Sequence, residues 1–145
     1  MAATKRILIA TGIAGTLDIL AAMILSISAG GTVRGMLRSV GSGPFPAARE
    51  MGMAGAAIGL ATHFMLMAIM ATVFVLAADR LAALKRQPLI WGALYGIGIW
   101  LVMYFLVLPT RFGAPIPHDP IAIAKQLFCH IVLVGWPIAL TARRG

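Results

Sequence analysis

Four stretches of this chain, at about 7–29, 51–78, 89–109 and 121–142, each run for about twenty residues or more with hardly a charge. An α-helix rises about 1.5 Å per residue, so each stretch is long enough to cross the roughly 30 Å hydrocarbon core of a bilayer. A helix also satisfies its own backbone polar groups, which hydrocarbon requires of any segment that crosses it. The expectation is an all-α membrane bundle of four transmembrane helices, forming one transmembrane domain over residues 1–145. Composition agrees, with 61% hydrophobic and 11% charged residues, against about 45–50% and 25% in ordinary soluble domains. The excess apolar surface must face lipid, so the bilayer is the first partner the sequence implies.

A formal net charge of +8 raises the question of nucleic acid. The basic residues, however, lie singly or in pairs between apolar runs and form no stripe, which argues against that partner. Lys5/Arg6, Lys85/Arg86 and Arg143/Arg144 each sit at the edge of an apolar segment, where cations meet anionic headgroups. The run from Ile7 to Ala29 is 23 residues, longer than the roughly 7–15 of a signal-peptide core, and reads as a retained first span. With the single cysteine Cys129 there is no intrachain disulfide and no cysteine-rich metal motif, and the redox compartment stays open.

The connections are uneven in what they tell. Asp79–Pro88 carries Arg80, Lys85 and Arg86, and Thr110–Pro120 carries Arg111, Pro115, Pro117, His118, Asp119 and Pro120, so neither continues a membrane helix. In the first connection, Val33, Met36, Leu37 and Val40 recur at helical spacing while Arg34 and Arg38 share another face. That pattern predicts a short interfacial helix over 32–40 with its apolar face toward the membrane, ended by the Gly41–Pro46 breaker. Four spans put both termini on one side. Lys5, Arg6, Arg80, Lys85, Arg86, Arg143 and Arg144 then share that side, against Arg34, Arg38, Arg49, Arg111 and Lys125 on the other. Seven cations against five favour cytoplasmic termini. Trp91 suits an interfacial anchor, whereas Trp100 lies too deep for one.

Helices in lipid associate by close approach of small residues. Gly12 and Gly15, the pair Gly55/Gly59 and the pair Gly92/Gly96 supply them. They are expected to pack the bundle, with a homo-oligomer seam or a contact to other membrane subunits as the alternative.

Ionisable residues deep in a span are costly and are functional candidates by default. Asp18, His63 and His130 each fall near the middle of their segments, and helical spacing puts each on a stripe of small or polar residues. These stripes are Thr11/Gly15/Asp18/Ala22/Ser26, Gly55/Gly59/His63 and Gln126/His130/Pro137/Thr141. A carboxylate is least costly beside an imidazole inside the bundle. Three readings stay open: a hydrogen-bonded Asp–His pair that fixes helix order, a b-type haem held by His63 and His130 as axial ligands, and a proton relay such as a small proton-coupled transporter uses. Met65, Met67, Met70, Cys129 and His63 are soft or borderline ligands for copper, but Met65 and Met67 are two apart on a helix and face different ways. The metal is therefore unknown. No nucleophile–base pair, phosphate loop or paired carboxylates are visible, so a non-enzymatic protein or accessory subunit is expected rather than an enzyme.

Gly12-x-x-Gly15-Thr16-x-Asp18-Ile19, Leu94-Tyr95-Gly96 and His130-x-x-x-x-Gly135-x-Pro137-Ile138-Ala139-Leu140 resemble a group of small bacterial four-helix inner-membrane proteins that carry no assigned activity. The likeness covers most of the chain. It implies a bacterial cytoplasmic-membrane location and nothing about mechanism.

Overall fold

The computed structural model describes residues 1–145, all helix, turn and loop with no strand. Four helices are long and apolar enough to cross a membrane: span one, Ala3–Ser28; span two, Gly52–Arg80; span three, Pro88–Phe112; and span four, Pro120–Ala142. Their ends follow local chemistry. Pro88 and Pro120 open spans three and four in the first turn, where a missing N–H costs nothing. The Asp119 carboxylate caps span four by accepting from the Ala122 amide at 2.9 Å. Span three runs past the expected end at 109 and stops at Gly113, whose φ of +63° lies in the left-handed region that favours glycine.

Two spans change pitch midway. Met103–Val107 and Cys129–Gly135 are π-helical. Each lies just before a proline inside its span, Pro109 or Pro137, and each proline removes a donor and crowds the carbonyl four residues back. A locally wider helix accommodates that defect.

Only 31 of 145 residues are buried, and large apolar side chains such as Leu8, Met53 and Ile121 stand about two-thirds exposed around the outside. That surface is compatible with hydrocarbon and not with water. The main core, with Ala10, Ala14, Ala71, Phe74, Val75, Ile138 and Ala139, lies in the half of the bundle nearer the termini. Span one packs on spans two and four, and span three packs on span four. The three-four crossing is built on glycine: a side chain at Gly96 would strike the His130 carbonyl, and one at Gly135 would strike the Gly92 carbonyl. Spans two and three are joined by Tyr95, whose hydroxyl donates to the Met70 carbonyl at 2.8 Å and whose ring lies 5.0 Å from that of Phe74. Their backbones do not pack directly, and beyond Tyr95 they leave a groove on the side away from the termini.

The predicted helix of the first connection is present at Val33–Gly41, N-capped by Thr32, whose hydroxyl accepts from the Gly35 amide at 3.0 Å. Most of its apolar face, however, points to the bundle, while Val40 lines the groove between spans two and three. Leu37 packs with Ile19 and Ala56, flanked by Val33 and Met36. The reason lies in span two: Gly59 abuts the Leu37 carbonyl and Gly55 the Ala48 carbonyl, so the connection seats on bare helix backbone. The Gly55/Gly59 pair therefore receives this cap helix, not another span or a second copy. Gly92 and Gly96 are likewise covered inside the chain.

At the terminal end, Arg6 is 3% exposed, and not free to meet lipid headgroups as its position suggested. Its guanidinium grips both Asp79 oxygens, at 2.9 and 2.7 Å, and donates to the Ala142 carbonyl at 2.9 Å. Lys85 reaches the same carboxylate at 2.8 Å and the Gly145 carbonyl at 3.1 Å. One buried cation thus ties spans one, two and four together.

Candidate functional site

Asp18, His63 and His130 each lie within about three residues of the midpoint of their helix, and each is displaced toward the side away from the termini. The three side chains line one cavity of about 80 Å³, whose other walls include Met67, Met70, Ile99 and Val134. The fold thus brings together the three residues expected from depth and face, in a largely apolar chamber between all four spans.

His63 is held from span one. Its Nε2 lies 2.9 Å from the Gly15 carbonyl, and since a carbonyl only accepts, Nε2 carries the proton and donates. That leaves Nδ1 facing Asp18, 4.0 Å from Oδ2. The gap is too long for a direct hydrogen bond and short enough for an ion pair when the ring is protonated. Gly15 makes the approach feasible, because a side chain there would sit 2.6 Å from the Phe64 ring that stands edge-on to His63.

His130 is oriented within its own helix. Its Nδ1 lies 2.8 Å from the Gln126 carbonyl, so Nδ1 donates and Nε2 is the nitrogen left without a proton in the neutral ring. Tyr104 stands edge-on to it, with ring centres 6.0 Å apart, and in turn stacks on Trp100 at 5.9 Å. Trp100, buried as its depth implied, donates from Nε1 to the Gln126 side chain at 3.3 Å. Tyr104 and Trp100 thus support His130 without lining the cavity itself, and nothing in their spacing on an apolar span marked them out.

Each imidazole therefore has one nitrogen committed to a carbonyl and one proton-accepting nitrogen available, and a carboxylate stands beside one of them. The cavity exceeds the space one water needs, and the polar groups around it suit a water that bridges Asp18 to an imidazole.

The haem expectation does not fit these residues. Nε2 of His63 is engaged by Gly15, and about 80 Å³ is well below the roughly 300–1,000 Å³ of cofactor-sized pockets. Gly96 packs against the His130 carbonyl, which leaves no space for a macrocycle between spans three and four there. Nor do three His, Cys, Asp or Glu side chains converge closely enough to hold a metal ion. Met65 is half exposed while Met67 is buried, so the two methionines face different ways. His118 lies in the loop before span four, 3.4 Å from the Ile116 carbonyl, and takes no part in the cluster.

No protein-family model, characterised protein or solved structure matches this chain.

Proposed function

We propose that the chain is a non-enzymatic, multi-pass protein of a bacterial cytoplasmic membrane, with both termini cytoplasmic, whose Asp18/His63/His130 cluster binds and passes protons within the bilayer. The observation that carries this is the arrangement of His63: Nε2 pinned to the Gly15 carbonyl at 2.9 Å, Nδ1 directed at Asp18 across 4.0 Å. A carboxylic acid beside a neutral imidazole and a carboxylate beside an imidazolium differ by one proton moved across that gap. Both states are neutral overall, which limits the cost of either in hydrocarbon. His130 on the same cavity supplies a second proton acceptor.

The seven-to-five division of cations supports cytoplasmic termini, and the likeness to small bacterial inner-membrane proteins supports the location. Reporter fusions at Arg144 and at Gly43 should report opposite sides, the first cytoplasmic; an outward Arg144 would reverse the orientation.

A second reading is favoured by the His63–Gly15 bond itself, which ties spans one and two whatever protons do. Substitution at Asp18 separates the two. Asp18→Asn keeps shape and hydrogen bonding and removes the charge, so in both readings it folds with a thermal midpoint close to wild type. Asp18→Leu removes both. In lipid vesicles carrying an entrapped pH dye, an imposed pH gradient should collapse faster with wild-type protein than with Asp18→Asn. Equal rates for the two would leave only the structural reading.

A further inference from the structure

The groove between span two and the far half of span three encloses about 630 Å³, and its walls are almost wholly apolar, formed by Val40, Met65, Leu66 and Val107 among others. That volume falls within the range of ligand-sized sites. Its mouth differs from its walls. Arg49 and Arg111 line both the groove and a smaller adjoining pocket of about 260 Å³ on the side away from the termini.

The two guanidinium groups share two neighbours, the Phe112 ring and Ser42. Their central carbons lie 5.8 Å and 5.2 Å from the centre of one ring, that of Phe112. Arg111 is fixed by donating from Nε to the Gly43 carbonyl and from Nη2 to the Ser42 carbonyl, each at 2.8 Å. Arg49 donates from Nε to the Ser42 hydroxyl at 3.1 Å. These bonds leave three of the five N–H donors of Arg111 and four of those of Arg49. No carboxylate pairs with either; the ion pairs of the molecule are Arg6–Asp79, Lys85–Asp79 and His63–Asp18, and the neighbouring Glu50 forms none. Two like charges fixed beside one ring without a counter-ion, at the mouth of an apolar groove, call for an anion with a hydrocarbon tail.

We propose that this groove is a binding site for one anionic phospholipid of the surrounding bilayer. Its phosphate sits on Arg49 and Arg111, and one acyl chain lies along span two against Met65 and Val107. Leu66 and Met103 wall both this groove and the Asp18 cavity, so the chain ends against the outer wall of the polar chamber. The assignment does not depend on what the Asp18 cluster does.

The test is native mass spectrometry of delipidated protein in mild detergent, titrated separately with phosphatidylglycerol and phosphatidylcholine. Wild type should retain a single phosphatidylglycerol with about tenfold or greater preference. Arg49→Gln should lower the preference severalfold, and Arg49→Gln with Arg111→Gln should abolish it. Arg34→Gln, on the same side but outside the groove, should leave it unchanged. Met65→Trp, which fills the groove from a half-exposed position and leaves both arginines in place, should weaken binding of the phospholipid. Equal retention of the two lipids by wild type overturns the proposal, as does a loss on Arg34→Gln equal to that on Arg49→Gln, which would reduce the effect to general surface charge. Undiminished binding by Met65→Trp overturns the acyl-chain placement.

Discussion

At the scale of single residues, the sequence exposes its deep ionisable groups and conceals its pairings. Asp18, His63 and His130 are conspicuous because nothing around them is charged, and counting along a helix gives their depth and face. Arg6 looks like any cation flanking a membrane span. Its partner Asp79 is 73 residues away, and only the packing of spans one, two and four decides that this arginine turns inward while Lys5 does not. Removing Asp79 leaves the buried Arg6 without its carboxylate, whereas removing Lys85 leaves the bidentate pair intact. We therefore expect Asp79→Asn to lower stability by about 1.5–3 kcal/mol, and Lys85→Gln by less than about 1 kcal/mol because that ammonium is partly solvated. Denaturant titration in a constant detergent, followed by helical circular dichroism, measures both. Equal losses would show that Arg6 draws little from this carboxylate.

Among the elements, glycine is where expectation and structure part most usefully. The pairs Gly55/Gly59 and Gly92/Gly96 look alike in the sequence, and both were expected to bring helices together. Gly92/Gly96 does so, against the Gly135 and His130 turns of span four. Gly55/Gly59 instead receives the cap helix, which turns most of the apolar face of Val33–Gly41 toward the bundle. Periodicity identified that amphipathic helix and its apolar face, but an apolar face fits a bilayer and a bundle equally well, so the surface it covers was not legible. The π-helical segments were hidden for a related reason: Pro109 and Pro137 are plain to see, while the way their helices absorb the missing bond depends on neighbours. Gly59→Ala and Gly96→Ala each put a methyl group into a backbone carbonyl, and each should cost about 1–3 kcal/mol, as overpacking does. Gly12 and Gly98 have nothing within 4 Å of an added Cβ, so alanine there should be neutral or slightly stabilising. Thermal melts of the four variants side by side give the comparison; a loss at Gly12 or Gly98 matching that at Gly96 would contradict the packing described.

For the whole molecule, four apolar runs were enough to establish a four-helix bundle of membrane-crossing length, because hydrocarbon admits so few architectures. The groove was not legible, since it arises from spans two and three joining at Tyr95 and parting beyond it. The chamber at Asp18 lies between all four spans and is the feature from which the proposed activity follows. Infrared difference spectra of the protein in lipid, recorded between pairs of pH values, report on it most directly. Wild type should show a protonated-carboxyl band that changes together with an imidazole band and that is absent in Asp18→Asn. In His63→Gln the carboxyl change should be displaced along the pH axis. A spectrum with no Asp18 band at any pH at which the fold persists, or one indifferent to His63, would contradict proton exchange between these groups.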